Sequence, residues 1–294
     1  MKTLIGYFLA LFALMYPMSA RASDSFIVLT EDLQLKVADA FMAEGEYYRA
    51  VTEYKKFLIL FPESGKADYV LFRTGMAYYS GEEYESSARS FASLREKFFG
   101  SSYVADAGYF EGLSYWRLKK YEFAKSSFRS IVISYPESDR APQAIIACSL
   151  VCLDKEDLSG CTKELNKLIE SYPDHPGATK ARDAMKLISE YQNLPRKSEV
   201  LAGTMSAVLP GSGYMYAGHF KDGLTSFFIN GLSIAGAATG IQQENYAVGA
   251  IAGGIGLPFY FGNIYGSANA AKKWNSAARD ELRYRIHSVL GFQF

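Results

Sequence analysis

Residues 47–62 read YYRAVTEYKKFLILFP, and the spacing inside this stretch decides the fold. Tyr47, Ala50, Tyr54, Phe57 and Phe61 lie three or four apart, so one face of a helix carries them all. Pro62, which has no amide hydrogen to give, ends that helix. Adding 37 to each position gives Tyr84, Ser87, Phe91, Leu94, Phe98 and Phe99. A second step gives Tyr121, Ala124, Phe128, Ile131, Tyr135 and Pro136, and a third gives Leu158, Cys161, Leu165, Leu168, Tyr172 and Pro173. Four units therefore share one register. A second pattern precedes each of them. Ala38, Gly75, Gly112 and Ser149 hold one repeat position, and Phe41, Tyr78, Tyr115 and Cys152 hold another three residues on. Polar turns at Glu44-Gly45-Glu46, Ser80 to Glu83 and Lys119-Lys120 separate the two patterns, so each unit reads as a helix pair. Apolar faces that return at a fixed period are hidden from water when successive pairs stack on one another. The expectation is an all-α solenoid of four helix pairs.

The small-then-aromatic spacing, followed by Tyr, Ala, aromatic and Pro, resembles the tetratricopeptide repeat over residues 31–177, with each unit about three residues longer than usual. Residues 178–192 predict a capping helix with Ala181, Ala184, Met185, Ile188 and Tyr191 on its apolar side, which places the solenoid and its cap at 31–195. The resemblance implies a concave groove lined by the first helix of each unit. By register its partner-binding residues are Tyr69, Phe72, Met76 and Tyr79, then Tyr109, Leu113 and Trp116, then Ile146, Leu150 and Leu153. The Lys and Asn residues that clamp a peptide carboxylate in chaperone-type relatives are absent from these positions. The expected occupant is an apolar or amphipathic protein segment. Two other readings stay open: the N-terminal lead (residues 23–30) fills the groove, or tight superhelical packing closes it. The exported repeats and their F-P-x-S ends are similar to repeat subunits of outer-membrane assembly and of Tol–Pal-associated envelope factors.

Export is read from the N-terminus. Lys2, an apolar run from Leu4 to Tyr16, Pro17 and the small residues Ala20 and Ala22 form a signal peptide over residues 1–22; the alternative is a retained signal anchor. Lys and Arg number 31 and Asp and Glu number 31, so no net charge draws the chain toward nucleic acid. The 22 Tyr and 20 Phe suit interhelical packing, grooves and membrane interfaces.

Composition changes after a linker at 196–200. From 201 to 270 the charges are Lys221, Asp222 and Glu244, and Gly recurs throughout. The stretches Leu224–Ile241 and Tyr246–Ala268 approach the length that crosses a bilayer and flank a polar turn, Gln242 to Asn245. They predict a transmembrane helical hairpin in contact with lipid over 224–268; the alternative is a buried Gly/Ala-rich pair in a soluble domain. Gly236–Gly240, Gly249–Gly253 and Gly262–Gly266 have the small-xxx-small spacing that lets helices touch in lipid. Ahead of the hairpin stand Pro210, Gly211, Gly213, Tyr216, Gly218 and Gly223. They resemble the P-G-x-G-x-x-Y-x-G signature of small two-helix bacterial membrane modules, and the glycines fit a tight re-entrant turn. A phosphate loop is excluded because His219 stands where its Lys belongs. The tail, 271–294, is basic, which for an exported hairpin conflicts with the rule that positive segments stay in the cytoplasm.

No catalytic residues are expected. His175, His219 and His287 have no ligand spacing, so neither a metal nor a cofactor is expected. Cys152 and Cys161, or Cys148 and Cys161, form a candidate disulfide in the fourth unit; buried free thiols are the alternative. The sequence thus supports a non-enzymatic envelope scaffold whose groove takes envelope or membrane proteins. Its rival is an assembly or transport component in which the hairpin does the work.

Overall fold

The computed structural model describes residues 28–291, so the expected signal peptide and most of the expected lead lie outside the described residues. Among the described residues there are thirteen helices and no strand. Four antiparallel pairs come first: α1 (Glu31–Ala43) with α2 (Tyr47–Leu60), α3 (Ala67–Ser80) with α4 (Tyr84–Lys97), α5 (Val104–Arg117) with α6 (Tyr121–Ser134), and α7 (Arg140–Asp154) with α8 (Leu158–Ser171). The cap is α9 (Pro176–Gln192), followed by α10 (Glu199–Val208), the single turn α11 (Ser212–Tyr216), α12 (Phe220–Gln242) and α13 (Tyr246–Leu290). The fold is a tetratricopeptide-like α-solenoid followed by two long apolar helices.

The repeat is visible in atomic detail. The second helix of every pair has 14 residues and starts at Tyr47, Tyr84, Tyr121 or Leu158. Gly75 and Gly112 make room for the aromatic rings of the helix that follows: a Cβ on Gly112 would lie 2.5 Å from the Phe128 ring, and one on Gly75 would lie 2.6 Å from Phe91. Both rings are fully buried and have nowhere to go. Replacing Gly112 with Val should therefore lower stability by about 2 kcal/mol through overpacking. It would be seen as an earlier loss of helical circular dichroism on heating; an unchanged midpoint would contradict the close packing.

The turns between paired helices repeat as well. Gly45, Glu82, Lys119 and Glu156 all have positive φ, at 78°, 61°, 57° and 58°. In each turn the next residue's amide reaches back to the position shared by Phe41, Tyr78, Tyr115 and Cys152, closing a left-handed helix end. Glu82, Lys119 and Glu156 carry a side chain where this geometry favours glycine. Lys119→Gly should accordingly raise stability by about 0.5–1 kcal/mol, the relief of strain exceeding the added freedom of the unfolded chain. Thermal unfolding beside the parent would show it, and a loss of stability would count against a strained turn.

Candidate functional site

Neighbouring units are joined at equivalent positions of the repeat. Lys66 pairs with Asp32 at 2.5 Å, Tyr103 packs on Tyr69 with ring centres 5.8 Å apart, and Arg140 pairs with Asp106 at 2.6 Å. At the N-terminal end these residues border an open cleft of about 620 Å³, with Leu35, Asp39 and Tyr69 in its wall. The Asp39 carboxylate is held in place by Arg73 at 2.9 Å and by hydrogen bonds from the hydroxyls of Tyr54 and Tyr69. Burial, with Asp39 as its acceptor, pushes the Tyr54 hydroxyl well above the ordinary tyrosine range.

The predicted groove residues divide into two groups. Tyr69, Phe72, Met76 and Tyr79 are half-buried. Phe72 belongs to an aromatic cluster, stacked on Tyr103 at 5.2 Å and touching Phe91 at 5.7 Å, whereas Tyr69 lines the open cleft. Tyr109, Leu113, Trp116, Ile146, Leu150 and Leu153 are buried. The cover over the latter end is the chain itself. The last part of α13 lies on α7 and α9, and its Leu282, Ile286 and Leu290 join Trp116, Ile146, Leu150 and Leu153 in one core.

Polar contacts fix the register of that docked segment. Asp154, at the end of α7, accepts from the Trp116 indole at 2.8 Å and faces His287 Nε2 at 3.1 Å. The His287 ring stacks on Trp116 with centres 6.1 Å apart. Arg283 and Arg279 reach Glu156 at 3.5 and 3.9 Å, and Arg285 reaches Glu190 at 3.7 Å. The occupant at this end is thus the chain's own C-terminal segment, and truncating Trp116 would open a core. Sequence reasoning missed Leu282, Ile286 and Leu290. Their spacing of four was a readable helical stripe, but it sat in a tail noticed for its charge.

Cys148, Cys152 and Cys161 are buried free thiols, so neither bridge considered from the sequence is formed. The Cys148–Cys152 hydrogen bond and burial hold the Cys148 thiol far above its usual range, and burial pushes Cys161 up to about 12. His175 caps α9 by accepting from the Gly177 amide at 3.0 Å, and His219 lies 3.2 Å from Asp222. Among the described residues, no three His, Cys, Asp or Glu side chains are grouped to hold a metal.

The glycine-rich module is a tight turn pinned against α13. Helix α10 runs along α13, the chain reverses at Leu209-Pro210-Gly211, and α11 returns. Gly211 has φ of 86°, and a Cβ there would lie 2.0 Å from the Gly223 carbonyl oxygen. Gly213 approaches α10 as closely, its would-be Cβ being 1.9 Å from the Ala202 oxygen. Asn263, fully within the fold, accepts from the Gly211 amide at 3.0 Å and donates to the Ser206 carbonyl at 3.1 Å. The Ser206 hydroxyl accepts from the Gly213 amide at 3.1 Å, the Tyr260 hydroxyl donates to the Ala207 carbonyl, and Ser212 donates to Met205 and Leu209 at 2.7 Å. Side chains thus satisfy most of the backbone that the end of α10 leaves free. Tyr216 accepts from the Ser198 amide at 3.0 Å, and Gly218 takes a positive φ of 92° at the end of the motif. Between α12 and α13, Gly240 meets the Gly249 backbone at 2.5 Å and Gly256 meets Ser233 at 2.7 Å, measured from the Cβ each lacks. Gly253 and Gly262, expected at the same contact, face open space.

No family model matches the chain, and no curated protein matches it. Among solved structures it is similar to the apo form of RapI, with 14% identity over 85% of this chain and 88% of that one and a TM-score of 0.45. A tetratricopeptide repeat protein from Parabacteroides merdae is similar at 15% identity over 88% of this chain and 98% of its own, with a TM-score of 0.46. The Rap conjugation gene regulator of the plasmid pLS20, solved with the Phr* peptide, is similar at 15% identity over 100% of this chain and 88% of its own, with a TM-score of 0.40.

Proposed function

We propose that the chain is a non-enzymatic, exported scaffold of the bacterial envelope, fixed to a membrane by α12 and α13 and binding protein partners at the open end of its groove. One observation carries the membrane part. Helices α12 and α13 each contain an 18-residue window of mean hydropathy 1.4 and 1.3, and 11% and 17% of those windows are buried. Phe228, Leu232, Ile251, Leu257, Phe261 and Tyr265 are all more than half exposed. An apolar surface of this extent exceeds what a soluble monomer shows to water. The turn at Pro210-Gly211 supports the same placement, since hydrocarbon supplies no hydrogen bonds and the protein has furnished its own.

The docked tail supports an orientation with the tail on the solenoid's side. Arg279, Arg283 and Arg285 pair with Glu156 and Glu190 of the solenoid, so their charge is matched on the side where the solenoid lies. A hairpin would return α13 to the same side as the repeats, which is the periplasm if the expected export signal acts.

Two measurements on the full chain test the proposal. Membranes from expressing cells, washed in alkaline carbonate, should retain the protein; release into the wash would contradict anchoring. A photoreactive residue at Tyr69 should cross-link in cells to another protein, whereas one at Leu150 should cross-link to the chain's own tail. Foreign adducts at Leu150 and none at Tyr69 would reverse the assignment of open and occupied ends.

A further inference from the structure

We infer that the junction between cap, linker and α13 is a binding site for the phosphate headgroup of an anionic lipid. A cavity of about 190 Å³ lies there, lined among others by Tyr191, Arg196, Glu199, Lys272, Asn275 and Arg279. Three cations face one carboxylate. Arg196 and Lys272 are exposed and take part in none of the ion pairs among the described residues, while Arg279 lies only at the 3.9 Å edge of one with Glu156. Tyr191, on the inner wall, is 7% exposed, and the Arg283 guanidinium stands beside its hydroxyl.

The walls of the cavity are held rigidly. The Lys197 amide donates to Asn275 Oδ1 and the Asn275 amide donates back to the Lys197 carbonyl, both at 2.9 Å. These two hydrogen bonds tie the linker to the helix, with Arg196 on one and Lys272 on the other in the wall of the same cavity. The Lys197 ammonium sits over the Trp274 ring at 4.3 Å and near Tyr216 at 5.9 Å. A guanidinium and an ammonium converging on one small space suit a phosphate, which guanidinium binds by paired hydrogen bonds and ammonium as a point charge.

Position selects a lipid as the source of that phosphate, a step that rests on the membrane placement proposed above. The apolar stretch of α13 ends at Ala268, and Lys272 follows one turn later, about 6 Å further at 1.5 Å per residue. That is the depth of the headgroup layer outside the hydrocarbon core, about 5–8 Å thick. Trp274 and Tyr216 lie at the same level, where aromatic side chains gather at bilayer surfaces. The acyl chains of a bound lipid would run down the exposed apolar side of α13.

The test uses the full-length protein, delipidated in detergent and titrated by native mass spectrometry. The probes are short-chain phosphatidylglycerol, short-chain phosphatidylcholine and inorganic phosphate. Phosphatidylglycerol should bind at least about tenfold more tightly than phosphatidylcholine, in keeping with two or three basic residues at the surface. The Arg196→Gln/Lys272→Gln variant, altered at two exposed positions, should unfold at the parental temperature and lose about tenfold in phosphatidylglycerol affinity. Equal binding of the two lipids, or an unchanged double variant, would overturn the site. Inorganic phosphate binding as tightly as phosphatidylglycerol would overturn the lipid as its source. Retention after the carbonate wash without headgroup preference defeats the site alone, whereas release by the wash defeats the membrane placement beneath it.

Discussion

Changing Ile286 to Asp should free the end of α13 from the solenoid and expose the occupied half of the groove. Ile286 is fully buried between α7 and α9, in a cluster with Leu282 and Leu290 on its own helix. Each such side chain contributes roughly 1.5–3 kcal/mol by leaving water, so docking of the segment is worth several kcal/mol. A carboxylate buried without a partner opposes docking by a comparable amount. The helix should then prefer solvent, and trypsin should reach Arg283 and Arg285 at least about tenfold faster than in the parent. Trp116 would lose its cover, and its fluorescence should shift to the red. Ile286→Leu, which keeps the volume, should behave like the parent. Parental protease resistance in Ile286→Asp would mean that the segment is not held by this core.

Replacing Asn263 with Leu should be the most damaging single change in the glycine-rich module. Its side chain satisfies the Gly211 amide and the Ser206 carbonyl at once, 52 and 57 residues away along the chain. Leu fills the space but leaves both backbone groups buried and unpaired, at about 1–3 kcal/mol each. Low surrounding polarity makes the larger figure apply, and the expected loss is about 4 kcal/mol, enough for a marginal fold to open. Gly211→Ala attacks the same turn from the other side, since its new carbon would meet the Gly223 oxygen 2.0 Å away. Both variants should lose protein from the membrane fraction and unfold at lower temperature in detergent. Thr225→Ala, altering an exposed residue of α12 that bonds only within its own helix, should leave both readouts unchanged. Equal behaviour of all three would show that the turn is not pinned by Asn263.

The solenoid was legible because its information is local and repeated. Tyr47, Tyr84, Tyr121 and Leu158 start equivalent helices, and Gly75 and Gly112 face the aromatic residues that the register pairs with them. The left-handed turn residue was half visible. Gly45 shows the conformation openly, whereas Glu82, Lys119 and Glu156 adopt it with side chains that do not advertise it. Tyr103 was overlooked because it belongs to a loop. Its equivalence to Lys66 and Arg140 emerges only when the connection between units is laid on the repeat as well.

The groove's occupant was hidden for a different reason. Apolar positions say that a surface will be covered but not which segment covers it, and Ile286 shares a core with Leu150, which lies 136 residues earlier. Charge in the tail drew attention to membrane topology, while Leu282, Ile286 and Leu290 carried the packing. The role of Asn263 was likewise hidden, because its two partners lie beyond a reversal that sequence spacing does not reveal.

The proposed anchoring requires α13 to be one helix of 45 residues, about 67 Å long, shared between the apolar hairpin and the groove. Amide hydrogen exchange of the full chain in lipid nanodiscs tests this most directly. Residues 272–290 should exchange as slowly as α7 and α9, with no break in protection where the apolar stretch ends. Exchange of that segment within seconds, beside a protected solenoid, would contradict it.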